Sequence, residues 1–517
     1  MIPPTGPFAV GCRDFTWRLG TAPADATNNL AGRLFYPAAP GAKGGGRATW
    51  IKHWMYAKGY VQFAFFSARS LKWRMTKAAL QATVWAAGAG IRLPVSYDAP
   101  PAPPRPDPFP LVVFSPGAAA NRNTYSSVCA ELASRGCFVA AVEHADGSSG
   151  AAQLADGSWR LFAGLGTGPV LEAKCDYRAA EVLTAVRLLR AVNEGSAPEG
   201  AFWVSGCDAS GGGLDVFKGA MDLSKLTIAG HSCGGATAAL VASRCPEVAA
   251  AVALDPWWPI LPAGSPALTQ WLPGCTAPLQ IIGSDDWNTP KADGTLACGG
   301  ARQKAVLEAA RNRPGGGGAG GGALLLVPAH TKHHSFSDVP ALIEDSALAR
   351  SLLSAMGFKP QPVPAAAALR LICDCAARFC RAHYAAGGAW PAAGGAAEDT
   401  AEAAAAAGAA AAAAGGGGHG TAAGAGGGGD DEEGMATDED KECTAEAHMR
   451  EADGRRPAAQ NGAAAAPSGG GSAAAGGAAG APAGAGAVPH VRVRAGDKAA
   501  YSKLFEEGLL KTLEVYE

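Results

Sequence analysis

Ser232 stands in the run "KLTIAGHSCGGATAAL", Lys225–Leu240, with Gly230 two residues before it and Gly234 two after. A serine so flanked, between an apolar run and an alanine-rich one, has the spacing of a nucleophile on a sharp strand-to-helix turn. The turn strains the serine backbone and leaves no room for side chains two residues away, so glycines are needed there. It also sets the hydroxyl at a helix N-terminus, whose dipole favours developing negative charge. The chain holds 71 glycines, so the spacing alone also fits a plain turn of small residues. A serine hydroxyl needs a base, and the base an orienting acid, so the rest of the chain decides.

In this kind of site the acid and then the histidine follow the serine in the chain. Of ten histidines, His330, His333 and His334 share one downstream loop, "VPAHTKHHSFSDVP". His231 belongs to the turn and is expected to pack beneath it. His144 precedes the serine and reads as a structural histidine near strand ends. Two acid positions compete: Asp255 in "ALDPWWP", and Asp285 or Asp286 in "IIGSDDWNTP". General placement favours the later one, and the residue pattern leaves them level. Acyl transfer also needs two backbone N–H groups for the oxyanion. Cys233, next after the serine, offers one. Ala118 in "FSPGAAANRNTY" offers the other, since Pro116 has no N–H to give.

These residues need a scaffold. Short apolar runs at Leu111–Phe114, Cys137–Val142, Leu226–Ala229, Ala250–Leu254, Leu279–Ile282 and Leu324–Val327 read as strands buried on both faces. Helical patterns such as Asp176–Val192 and Gly234–Ser243 separate them. The alternation predicts an α/β fold with a mostly parallel, doubly wound sheet. Ser115, Glu143, Ser232, Asp255, Asp285 and His333 then gather at the strand ends, where such sheets carry their sites.

Residues 1–360 read as the catalytic domain and 361–384 as a helical extension. Residues 385–489 form a low-complexity Ala/Gly-rich region expected to be disordered, and 490–517 a C-terminal amphipathic helix. Gly315–Gly322 reads as a loop insertion. The net charge of −2 gives no field for nucleic acid. The 13 cysteines are scattered and read as free thiols of a reducing compartment. Cys373, Cys375 and Cys380 lack metal-site spacing, the acidic run Asp430–Glu433 lacks that of a calcium loop, and neither metal nor cofactor is expected. The N-terminus has no secretory pattern and no stretch spans a membrane, so a cytoplasmic location is expected, peripheral to membranes at most.

The chain resembles the platelet-activating factor acetylhydrolase family, the calcium-independent group VII phospholipases of the α/β-hydrolase superfamily. The resemblance runs in collinear order through "TGPFAVGCRDF", "GRLFYPA", "FPLVVFSPGAAANRNTYSSVCAELASRGCFVAAVEHADGSS", "DYRAAEVLTAVRLL", "MDLSKLTIAGHSCGGAT", "VALDPWWPI" and "HTKHHSFSDVP". It implies Asp255 as the acid, in Ala253-Leu254-Asp255-Pro256-Trp257, and His333 as the base, with Phe336 and Asp338 completing the pattern. Asp285 and Asp286 become polar strand ends. Three departures stand out. Pro116-Gly117 replaces the usual His-Gly, Cys233 replaces a larger residue, and Pro256 replaces a small one.

The activity implied is hydrolysis of the acetyl or short, oxidised sn-2 ester of a phospholipid by Ser232, His333 and Asp255. Cys233 and Ala118 would hold the oxyanion. Residues 63–87 mix aromatics with Arg69, Lys72, Arg74 and Lys77, a pattern suited to a lipid surface. Trp73 and Trp85 are its candidate contacts. Two rivals stand beside this: a general carboxylesterase acting on soluble esters, and a silent hydrolase-fold scaffold.

Overall fold

The computed structural model describes residues 1–18, 25–42, 44–64, 71–103, 107–196, 201–203, 214–292, 294–313, 323–355, 361–384, 491–494 and 513–516. Strands β1 (Val10–Arg18), β2 (Asn29–Pro37), β3 (Arg47–Thr49), β4 (Arg92–Tyr97), β5 (Phe109–Ser115) and β6 (Phe138–Glu143) come first. A hairpin of β7 (Ala151–Gln153) and β8 (Trp159–Leu161) stands apart. Then come β9 (Ala201–Trp203), β10 (Met221–His231), β11 (Ala250–Leu254), β12 (Leu279–Ile282), β13 (Ala323–Pro328), β14 (Val491–Arg494) and β15 (Leu513–Tyr516). The helices are α1 (Trp54–Ala64), α2 (Leu71–Gly90), α3 (Ser126–Ser134), α4 (Pro169–Glu194), α5 (Cys233–Arg244), α6 (Asp285–Asn288), α7 (Gly300–Arg311), α8 (Val339–Asp345), α9 (Ala347–Ala355) and α10 (Ala365–Tyr384).

Apart from the hairpin, the strands form one sheet ordered β15-β14-β13-β12-β11-β10-β5-β6-β2-β1-β4-β3, with β9 beside β1. From β13 to β6 every neighbour is parallel. This is the mostly parallel, doubly wound sheet that the alternation predicts, and each of the six apolar runs of the sequence falls on one of its parallel strands. Alternate residues explain why those runs do not alternate in polarity. Leu111 and Val113 of β5 pack with α4 and α5 on one face, while Val112 and Phe114 pack with α3 and α10 on the other.

Two elements differ from the sequence expectation. The helix expected at Asp176–Val192 runs longer, from Pro169, whose fixed φ suits a first helical turn, to Gly195 in a left-handed cap at φ 74°. The amphipathic helix expected over 490–517 is replaced in its described residues by two strands. Val491-Arg492-Val493-Arg494 alternates with the period of a strand and pairs antiparallel with the sheet edge at β13. Leu513–Tyr516 pairs parallel to it. The low-complexity region and the glycine run Gly315–Gly322 lie outside the described residues. Among the described residues no helix is long and apolar enough to cross a membrane.

Candidate active site

β10 ends at His231 and α5 begins at Cys233, so Ser232 alone makes the turn, at φ 57° and ψ −123°. Its N–H donates to the Leu254 carbonyl, and its carbonyl accepts from the N–H groups of Gly235 and Trp257, each at 3.0 Å. These bonds hold a conformation that L-residues avoid. A Cβ on Gly230 would lie 2.3 Å from the Gly234 carbonyl oxygen, and one on Gly234 would lie 1.9 Å from that of Ser115. Only glycine fits at either place. The Ser232 side chain is 2% exposed as a residue, and its Oγ has no hydrogen-bond partner among the described residues.

Asp255 follows β11 and is wholly buried, its backbone at φ 38°. His333 follows β13 at the start of a short 3-10 turn. Its Nδ1 donates to Asp255 Oδ2 at 2.6 Å. Ser284 completes the hold on the carboxylate, donating its N–H to Oδ1 at 2.7 Å and its hydroxyl to Oδ2 at 2.6 Å. Burial pushes the Asp255 carboxyl up to about 7 against the pull of these Ser284 donors. Burial pushes the His333 imidazole down to about 3, which keeps the ring a neutral base. The Trp287 ring stacks on His333, with centroids 3.6 Å apart and planes 10° apart. The competing acids play other parts: Asp285 accepts the His330 N–H at 2.7 Å, and the Asp286 carboxyl, beside Ser284 and the His333 backbone N–H, is pushed up to about 6 by burial and by the Asp255 charge. His330 and His334 are exposed neighbours of the histidine loop.

The loop after β5 presses on the serine. A Cβ on Gly117 would lie 3.1 Å from Ser232 Cβ, so the next residue, Ala118, borders the hydroxyl. Among the described residues neither the Ala118 nor the Cys233 N–H has an oxygen partner. Burial pushes the Cys233 thiol up to about 11, against the pull of Arg178 and of the Ala118 N–H beside it. Ala119 is left-handed, at φ 57°, and its N–H donates to the Ser148 carbonyl at 2.7 Å.

Three supporting residues had no role in the sequence reading. Ser284 is one. Tyr125 lies with its hydroxyl 2.8 Å from His231 Nδ1. Arg178 of α4 is wholly buried, donating to Ser148 Oγ at 2.5 Å and to the Pro116 carbonyl. An arginine between Tyr177 and Ala179 in a helical run gives no signal that it points inward. His231 does pack beneath the turn, against Phe336. His144 bonds Ser115 Oγ at 2.8 Å and Glu181 at 2.6 Å. This Ser–His–Glu trio copies a catalytic order but is sealed from solvent, and it ties the ends of β5 and β6 to α4.

His231, Asp255 and His333 also bring ligand-type atoms within 4.8 Å of one another. Both nitrogens of His231 and Nδ1 of His333 are already hydrogen-bonded, so a cation there would have to displace those bonds. The free cysteines on α10, Cys373, Cys375 and Cys380, are buried apolar contacts. Trp85 is half-buried against the core, and the side chain of Trp73 lies outside the described residues.

A family model described as "Platelet-activating factor acetylhydrolase, isoform II" matches residues 1–298, a span that includes Ser232 and Asp255 and ends before His333. A platelet-activating factor acetylhydrolase of Cavia porcellus is 29% identical over 265 residues, covering 49% of this chain and 54% of that protein. A putative phospholipase A2 of Schizosaccharomyces pombe is 27% identical over 162 residues, covering 27% of this chain and 36% of that protein. The chain thus spans about half the length, or less, of the curated relatives it matches. A ferulic acid esterase from Streptomyces cinnamoneus superposes with a TM-score of 0.49 at 21% identity, over 77% of this chain and 95% of that one.

Proposed function

The chain belongs to the platelet-activating factor acetylhydrolase family, and from that premise we propose that it is a serine esterase of phospholipids. Its substrate is the sn-2 acetyl or other short acyl ester, as in 1-alkyl-2-acetylglycerophosphocholine. The observation that carries this reading is the 2.6 Å bond from His333 to the buried Asp255, beside a serine on a strained turn. The short-chain preference rests on family membership.

The reaction is acyl transfer in two steps. Ser232 Oγ attacks the sn-2 carbonyl carbon while His333 Nε2 takes its proton. The N–H groups of Cys233 and Ala118 donate to the oxyanion, where charge develops. As the tetrahedral intermediate collapses, the C–O bond to the glycerol oxygen breaks, and His333 returns the proton to that oxygen. Water then repeats the sequence on the acyl-enzyme, releasing the short acid and free Ser232. Asp255 orients the ring and balances the imidazolium charge. None of these steps calls on a metal.

Peripheral contact with lipid belongs to the same reading. Trp54 at the start of α1 is 47% exposed and Met75 on α2 is 72% exposed, which supports a surface formed by these two helices.

The test compares kcat/KM on a 2-acetyl phospholipid with that on a soluble aryl ester, alongside fluorophosphonate labelling, with Ser232→Ala as control. The proposal expects Ser232-dependent labelling and preference for the phospholipid. A preference for the soluble ester would make the protein a general carboxylesterase. Folded protein that takes no label would be a scaffold.

A further inference from the structure

Between the oxyanion loop and the histidine loop the hydrogen bonds run head to tail. Arg178 donates to the Pro116 carbonyl. The same peptide unit carries the Gly117 N–H, which donates to the Tyr125 hydroxyl oxygen at 3.1 Å. The Tyr125 hydroxyl lies 2.8 Å from His231 Nδ1, and His231 Nε2 lies 3.0 Å from the carbonyl oxygen of His333. A carbonyl can only accept, so Nε2 carries the proton. Burial holds the His231 imidazole well below its usual pKa, so the ring is neutral and Nδ1 accepts. The Tyr125 O–H must then donate to Nδ1, which leaves its oxygen free for Gly117. One direction satisfies every bond.

We propose that Arg178, Tyr125 and His231 are positioning residues, which through this one-way chain set the oxyanion loop and the His333 loop against Ser232 as a unit. The proposal rests on the esterase reading given above. Each bond in a chain polarises the next, and a cation at the donor end strengthens the series. Arg178 suits that place, being wholly buried with no carboxylate partner among the described residues. Its second tie reaches Ser148, whose carbonyl takes the Ala119 N–H, so the loop is held on both sides of Ala118. The far end of the chain is the backbone of the residue whose ring is the base.

The test is a double-mutant cycle in the full chain with Tyr125→Phe and Arg178→Lys. Each single variant is expected to lower kcat about 10- to 100-fold with KM little changed. The double variant is expected to be no slower than the slower single one, because the chain is already broken. Additive losses would overturn the proposal, as would a loss carried by KM. A second measurement is independent of activity. In Ser232→Ala protein labelled with nitrogen-15 histidine, NMR should report His231 as a neutral ring protonated on Nε2. A proton on Nδ1, or an imidazolium, would overturn the chain even where a variant fails to fold. If the wild type shows no Ser232-dependent hydrolysis, the esterase reading fails, and the NMR result still decides the direction of the bonds.

Discussion

Ser284 holds Asp255 by both oxygens, its N–H on Oδ1 and its hydroxyl on Oδ2, the oxygen that also receives His333. The same hydroxyl accepts the Trp287 N–H at 3.4 Å, and Trp287 stacks on the His333 ring. One small residue therefore steadies the acid from below and the ring from its face. Ser284→Ala removes a charge-assisted bond worth about 1.5–3 kcal/mol. Its kcat is expected to fall by about tenfold or more with KM unchanged, read by steady-state kinetics. An unchanged kcat would show that Asp255 needs no such hold.

Ser232→Ala should lose several powers of ten in kcat/KM and all fluorophosphonate labelling. Ser232→Gly should be as inactive yet more stable, by about 1 kcal/mol, because glycine tolerates the positive φ that serine endures there. Urea unfolding of the two variants measures the difference. Equal stability would mean the turn stores no strain.

Gly234→Ala places a methyl carbon against the Ser115 carbonyl, which is backbone and cannot swing aside. A cost of about 3 kcal/mol or more is expected, because α5 and the end of β5 would have to part. Soluble yield and unfolding midpoint test it. A stable, active Gly234→Ala protein would contradict the packing described for the turn.

The pH profile follows from the sign of the His333 shift. Burial pushes the imidazole down from 6.5 to about 3, and a general base works only unprotonated, so the active form extends towards acid. The Asp255 carboxylate, 2.6 Å from Nδ1, pulls the other way. The acid limb of kcat/KM on a soluble ester is expected below pH 6.5. A limb at or above neutrality would mean that the ring is far wetter than the structure has it.

Vesicle partitioning distinguishes the faces of the first two helices. Trp54→Ala and Met75→Ser should weaken binding to phosphatidylcholine vesicles several-fold, each removing exposed apolar area. Trp85→Ala should instead lower stability, since that ring packs on the core. Unchanged partitioning in the first two variants would remove this lipid surface.

Much of the architecture could be read from residue types. The six apolar runs are parallel strands because both faces of a central sheet are dry, and Gly230 and Gly234 are required by the backbones they touch. The residue pattern left Asp255 and Asp285 level, because both follow strands. The family resemblance implies Asp255, and in the structure its carboxylate faces the His333 ring. Strands β1 and β2 were invisible to a search for apolar runs, since Arg13, Asp14, Thr16 and Arg33 interrupt them. The fold buries Arg33 and Asp14 together at 2.6 Å, so polarity there marks an internal ion pair and not a surface. Arg178 hid in the same way. A sequence records what a side chain is and leaves open where it points.

The match to the family stops at residue 298, yet the sheet continues into β13 and its lower face is sealed by α10. A fragment cut at residue 298 would leave Val112, Phe114, Val252 and Leu254 open to water on that side. It would be expected to precipitate and not to act as a slower enzyme. The span of the family match and mechanical integrity thus draw different borders on this polypeptide, and the second of them sets the smallest piece worth expressing.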